Sequence, residues 1–575
     1  MISHTHKGLG CIAMAVAGLA ATPALAQVVP PPPPPPQANV PDAGRALEST
    51  ARPQVEPKKD ADVLPRSATP RPPPGQGGPV VQVKGFRITG NTVFGDDVLQ
   101  PLVASWIGKP AGTDQLLDAA EAIKNRYKDA GYFLTQVFVP TQEVPDGVVT
   151  LRVVEARIGR TQAEIDSQRV SAGLVDGYMR LLPDGAPVTE QRVERPLLLL
   201  NDLQGVKVNS VLRPGAEFGE ADLLVKVTDE GRPLGGDAYI DNAGNQSTGL
   251  VRVGADLIAN GLAGFGESWT LGGLVSEHNG IDLVRAGVTA PVGPYGTKVS
   301  LSFTDLQYKV VGDQFKSLQA DGYALVGSAL VQHPIVRSRN FNLFGVGGLD
   351  VKEVDDRTLD GLTHDKRVLF VGHAGVTGDF RDELFGGALN SFTANLTAGD
   401  NKIKATRGDA HDTAGSFEHL DGDYQRLQAL GATTSLLVSM RGQLAFQNLD
   451  SSEKGSLGGP HGVRAYAVGD GVGDDLFQAT LELRQRVPQW TVFNAPFVLS
   501  AFIDGGRVRN WHDPLPAGVD QGNVVTLGGY GVGLNLTARD NFQFRLDIAS
   551  KINALELPGS DNRDTRAWAS LQKFF

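Results

Sequence analysis

From Gly231 to the end of the chain, apolar and polar residues alternate with a period of two. Val251, Val253, Ala255 and Leu257 alternate with Arg252, Gly254 and Asp256, and Val299, Leu301 and Phe303 alternate with Ser300, Ser302 and Thr304. Phe477, Ala479, Leu481 and Leu483 oppose Gln478, Thr480, Glu482 and Arg484; Phe542, Phe544, Leu546 and Ile548 oppose Gln543, Arg545 and Asp547. One apolar and one charged face per strand is the pattern of a membrane barrel with lipid outside and a polar lumen. A soluble antiparallel sandwich alternates too. Three features favour the barrel: a secretory leader, an end on Phe575 after the apolar Ala567, Ala569 and Leu571 face, and the strand count. Strands are expected near 237, 249, 267, 281, 297, 322, 339, 366, 389, 424, 434, 476, 496, 525, 541 and 564. Sixteen is an even number, as bacterial single-chain barrels require.

Upstream the period is mixed. Val81 to Thr89 reads as a strand, Asp96 to Ile107 and Thr113 to Gly131 as helices, and Phe133 to Val139 and Val148 to Val154 as strands. This β-α-α-β-β order over 80–159 is enough for one small core. Residues 160–230 read as a second copy, with helices over Ser171 to Leu182 and Thr189 to Leu203, then strands over Val206 to Leu212 and Ala221 to Thr228. Pro196 is expected to kink the second of these helices.

The first 26 residues fit a signal peptide, with Lys7, an apolar Leu9 to Ala21 stretch and Ala24-Leu25-Ala26 before Gln27. A polyproline segment fills 27–40, and a linker 54–79; together 27–79 hold sixteen of the 35 prolines, the composition of an extended tether. Between them, at 41–53, Asp42 to Ala51 has an N-cap residue and is bounded by Pro41 and Pro53. Alone, it reads as a fluctuating helical turn. No run of about 18 apolar residues follows the leader, so no membrane-spanning helix is expected.

Composition narrows the chemistry. A net charge of −11 gives no footprint for nucleic acid. The one cysteine, Cys11, falls in the leader, which excludes a disulfide framework or cysteine-ligated metal in the mature chain. No P-loop, Gly-x-Ser-x-Gly or His-Glu-x-x-His pattern occurs, so no enzyme or cofactor is expected. With the two modules in the periplasm and an even strand count, the first strand runs outward. The connection at 448–475, between strands 11 and 12, then lies on the outer side. It is long and glycine-rich and carries an isolated Arg464.

That loop reads Val463-Arg464-Ala465-Tyr466, and the thirteenth strand reads Phe502-Ile503-Asp504-Gly505-Gly506. These segments resemble the Val-Arg-Gly-Tyr and Phe-x-Asp-x-Gly motifs of the TpsB transporters, the haemolysin secretion/activation family of the Omp85 superfamily. Ala465 replaces the family's glycine. Val83-Lys84-Gly85-Phe86 to Gly90-Asn91-Thr92 is similar to the start of a POTRA domain, and Asp241-Asn242-Ala243-Gly244 with Gly249 to the family's first barrel strands.

The resemblance implies two periplasmic POTRA modules, a pore-plugging helix at 42–51 and a monomeric barrel in outer-membrane lipid. It also implies export of a large TpsA-type partner, captured by the POTRA modules and moved without nucleotide. Two alternatives remain: an assembly factor of the same superfamily, or a passive porin. Arg407-Gly408-Asp409 in an outward loop is treated as solvated. On strand 13, Phe497, Leu499, Ala501 and Ile503 form the lipid-facing set, which turns Phe502, Asp504 and Gly506 inward. A carboxylate in the wall favours a cation, so Arg464 is expected to fold back and grip Asp504. Gly506 would leave room for the loop backbone, with Tyr466 and Phe502 beside the pair.

Overall fold

The computed structural model describes residues 42–50 and 80–575, apart from short breaks at 183–184, 186, 314, 406–408, 410, 514–522, 539–540, 553–555 and 558–559. The expected leader, polyproline segment and linker lie outside these residues.

Sixteen antiparallel strands, each paired with its neighbours in chain order, close into a barrel. Every expected strand position falls inside a strand or within three residues of its start. The alternation explains why. Leu301, Phe303, Phe477, Leu481, Ile503 and Ile548 are exposed on the outer face, whereas Gln478, Glu482, Asp504 and Asp547 are buried on the inner one. Strand 1, Leu234–Asp241, closes on strand 16, Thr565–Phe574. Phe575 extends that closure: its N–H donates to the Gly236 carbonyl (3.0 Å), and the Gly236 N–H donates back at 3.1 Å.

The two upstream modules share one topology. In the first, Gly85–Thr89 runs parallel to Val148–Val154, which pairs antiparallel with Gln136–Phe138. The strand expected over 81–89 is broken. The Val83 N–H bonds to the Lys109 carbonyl and the Lys84 N–H to the Gly147 carbonyl, so the chain changes partners there, and Val81–Gln82 pairs with Pro110–Ala111 instead. In the second module, Arg157–Asp166 runs parallel to Glu220–Asp229, which pairs antiparallel with Val206–Pro214. Its opening strand carries no clear alternation and begins ahead of residue 160, because the Arg157 N–H is tied to the Gly219 carbonyl at 2.9 Å.

Helix α1 is Ala43–Thr50, α2 is Asp96–Val103, α3 is Thr113–Asp129, α4 is Ala172–Met179 and α5 is Glu190–Asn201. Helices α2 and α3 cover the first sheet around Leu99, Ile123, Tyr127 and Leu151. Helices α4 and α5 cover the second around Val175, Tyr178 and Leu197 to Leu200. Pro196 lies buried inside α5, which runs through it as one helix. The apolar core on either side outweighs the one backbone hydrogen bond that proline removes.

The second module is clamped to one rim of the barrel. Arg337, at the end of strand 6, Asp321–Arg337, places Nε and Nη2 each 2.7 Å from the two carboxylate oxygens of Asp202, just after α5. Arg195 on α5 donates to the carbonyls of Pro334 and Ile335.

Candidate functional site: an inward loop and a helix in the lumen

Strand 11, Thr434–Ala445, and strand 12, Asp475–Val492, are joined by a loop that folds back into the barrel. A short pairing of Gly455–Ser456 with Val472–Gly473 forms its stem. Beyond the stem the backbone closes on itself, with the Val463 N–H on the Leu457 carbonyl (2.7 Å) and the Tyr466 N–H on the Val463 carbonyl (3.0 Å). Leu457, Val463, Ala465 and Tyr466 are wholly buried, packed with Leu476, Phe502, Val508 and Leu527 of the wall. A polar outer loop has no reason to bury these four residues; a loop seated inside does.

Arg464 sits at the tip. Its Nε donates to Asp504 Oδ2 at 2.9 Å and its Nη2 to Oδ1 at 2.8 Å. Nη1 donates to Glu482 Oε2 at 2.8 Å and lies 3.7 Å from Asp547 Oδ1. The guanidinium carbon stands 3.2 Å from the Phe502 ring centroid. Thr480 adds a hydroxyl donor to Asp504 at 2.9 Å. Arg484 pairs with Glu482 and Arg545 with Asp547, so three guanidinium groups balance three carboxylates. A charge this buried is stable only when paired and hydrogen-bonded, and here it is both.

The structure thus brings Arg464, Phe502 and Asp504 into contact. Tyr466, two residues after Arg464, lies in the apolar cluster that holds Phe502, with the Lys551 ammonium 4.8 Å from its ring. Gly506 serves differently from the expectation. A Cβ there would lie 2.6 Å from the Leu457 side chain, so it makes room for a leucine and not for loop backbone. Ala465 costs no strain, because its φ is negative, and its methyl faces Gly529, where a Cβ would come within 2.6 Å of it. Glu482 and Asp547 were legible as lumen-facing residues but not as partners of Arg464. Which inward residues of different strands face one another depends on the stagger of the barrel.

Helix α1 lies inside the barrel near its outer end. Asp42 caps it, accepting from the Arg45 N–H at 2.9 Å. The Ala43 N–H donates to Asp356 Oδ1 at 2.8 Å, and the Arg252 Nη1 to the Ser49 carbonyl at 2.9 Å. The inward loop touches the helix as well: Ser451 donates to Asp42 at 2.8 Å. A Cβ on Gly44 would lie 2.6 Å from the Ser452 backbone nitrogen. Of the Arg407-Gly408-Asp409 run, only Asp409 is described, and its carboxylate accepts from its own loop, at the Ala414 N–H (2.6 Å).

Known proteins match this arrangement. Residues 81–156 match the POTRA domain, ShlB-type, and residues 219–536 match the haemolysin secretion/activation protein ShlB/FhaC/HecB family. The chain is 25% identical over 506 residues to the heme/hemopexin transporter protein HuxB of Haemophilus influenzae, covering 86% of this chain and 87% of that one. It is 25% identical over 511 residues to the outer membrane transporter CdiB of Escherichia coli, with 84% and 82% covered. The solved structure of Escherichia coli CdiB superposes with a TM-score of 0.67 at 20% identity, covering 89% of this chain and 94% of that one. BamA of Haemophilus ducreyi lacking POTRA domains 1–3 superposes with a TM-score of 0.51 at 15% identity, covering 86% and 100%. The family match spans more than half of the chain, including the inward loop and the Phe502-to-Gly506 strand, and this protein therefore belongs to the ShlB/FhaC/HecB family of TpsB outer-membrane transporters, with its POTRA region in the periplasm.

Proposed function

We propose that this protein exports one large TpsA-type partner, of the haemolysin or adhesin class, across the outer membrane without nucleotide. The POTRA modules receive the partner's unfolded N-terminal domain as an extended segment, since their sheets end in edge strands with main-chain groups to offer. The loop tip and α1 hold the lumen closed at rest. Export requires that both leave their seats.

The observation that supports this best is the inward loop, held at its tip by Arg464 on Asp504 and Glu482. A passive porin gains nothing from a lumen filled by a loop and a helix. A removable stopper held by a few polar contacts suits a channel that opens for one cargo.

The test compares secreted proteins from cells with and without the transporter. Loss of a single large exoprotein, restored by the wild-type chain and not by Arg464→Ala, is the expected result. A general loss of other outer-membrane barrels would instead favour an assembly factor. Unchanged secretion with reduced uptake of small solutes would favour a porin.

A further inference from the structure

Trp568 stands on strand 16, directly across from Asp547 on strand 15, Phe542–Lys551. It is 4% exposed, and its indole Nε1–H donates to the backbone carbonyl of Arg464 at 2.7 Å. The Arg464 segment thereby reaches five consecutive strands: Glu482 on strand 12, Phe502 and Asp504 on strand 13 (Ala495–Arg509), Gly529 on strand 14 (Val524–Ala538), Asp547 on strand 15 and Trp568 on strand 16. Strand 16 is also the strand that closes the barrel. It meets strand 1 through five registered pairs, extended by Phe575 with Gly236 at one end and by Asn242 with Ala567 and Ala569 at the other.

We propose that Trp568 is a positioning residue for the loop, tying the seat of Arg464 to the strand that closes the barrel, so that loop release and loosening of strand 16 are one event. The inference rests on the reading of the loop as a removable stopper. Its chemistry is specific to tryptophan. The indole nitrogen only donates, and the carbonyl it meets is buried in the loop. A residue that merely filled space would be replaceable by phenylalanine. Removing the donor while keeping a ring leaves that carbonyl unsatisfied, which shifts the loop between its seated and unseated states roughly five- to tenfold.

The experiment places a nitroxide on His461→Cys in the full-length protein and reads the mobile fraction of the loop by electron paramagnetic resonance. Trp568→Phe is expected to raise the mobile-to-immobile ratio about five- to tenfold in a barrel that remains heat-modifiable, and Arg464→Ala is expected to raise it further. An immobile spectrum in Trp568→Phe beside a mobile one in Arg464→Ala overturns this inference and leaves the stopper reading standing. Immobile spectra in both remove the stopper reading and the inference with it. Should Trp568→Phe fail to assemble, amide exchange across residues 565–574 decides in Arg464→Ala: faster exchange supports the tie, and exchange unchanged beside a loosened loop refutes it.

Discussion

Arg464 grips Asp504 side-on, with Nε and Nη2 2.9 and 2.8 Å from the two carboxylate oxygens. Both side chains are almost wholly shut off from solvent, and the flat guanidinium faces the Phe502 ring. This geometry demands arginine, because a lysine ammonium has neither the fork nor the plane.

Breaking one side of such a pair costs about 3–5 kcal/mol locally, which unseats the loop far more readily than it unfolds sixteen strands. Arg464→Ala is therefore expected to reduce partner secretion strongly while the barrel still reaches the membrane. Arg464→Lys should recover little. Asp504→Ala should be the milder single change, since Glu482 remains at 2.8 Å from the guanidinium. The double variant should secrete about as much as Arg464→Ala alone, because both changes remove one contact. Secretion titres in the four strains, normalised to barrel in the membrane, decide this; fully additive losses would contradict it.

Helix α1 should behave as a stopper in its own right. Deleting residues 30–60 is expected to raise the conductance of the purified barrel in planar bilayers. Gly44→Leu should do the same without shortening the chain, since even a Cβ at that position lies 2.6 Å from the Ser452 backbone nitrogen. The side chain has no route around backbone, so the helix must leave or tilt. Wild-type conductance in both variants would mean that α1 does not limit the pore.

Much of this arrangement is legible in the sequence alone. Alternation exposed the sixteen strands because each strand has one face in lipid and one in a polar lumen, the cleanest two-sided environment a strand meets. The same rule turned Asp504 inward, and the loop's isolated Arg464 then had a carboxylate to seek. What alternation does not carry is position around the barrel. Glu482, Asp547 and Trp568 all face inward by period, yet their meeting at Arg464 is set by strand stagger, a property of the closed sheet. The opening strand of the second module, Arg157–Asp166, escaped for a related reason. Only Ile158 among its residues is buried, so its partner strand, and not its own pattern, makes it a strand.

Phe575 should matter to closure of the barrel. Its N–H and carbonyl extend the five-pair junction of strands 16 and 1 by two hydrogen bonds to Gly236. Removing it is expected to lower the yield of heat-modifiable barrel in the membrane. Phe575→Ala, which keeps the backbone bonds and loses only the half-exposed ring, should be milder. Equal yields from the deletion and the wild type would show that the junction does not depend on this residue.

Acid should loosen the first periplasmic module through Glu155. Its Oε1 accepts from the Thr92 N–H at 2.7 Å, the Val93 N–H at 2.8 Å and the Tyr127 hydroxyl at 2.7 Å. Its Oε2 accepts from the Thr92 hydroxyl. Burial pushes the carboxyl up, but these donors together outweigh it and hold Glu155 below the ordinary glutamate value. Burial and the Glu155 carboxylate push the Tyr127 hydroxyl up in turn, so it stays a donor. The folded value lies below the unfolded one of about 4.3. The stabilisation is therefore complete above that unfolded value, and it drains away as pH falls through the depressed folded value. At neutral pH, Glu155→Gln should weaken the module by about 1.5–3 kcal/mol, the scale of a hydrogen-bonded charge. It should also abolish the acid response, because no titrating group remains there. Amide protection factors for residues 92–94 and 149–155 in the full-length protein, compared between about pH 6 and about pH 3, bracket the ordinary glutamate value. Wild-type protection should fall over that span while the Glu155→Gln profile stays flat. Parallel declines in the two proteins would place the acid sensitivity elsewhere.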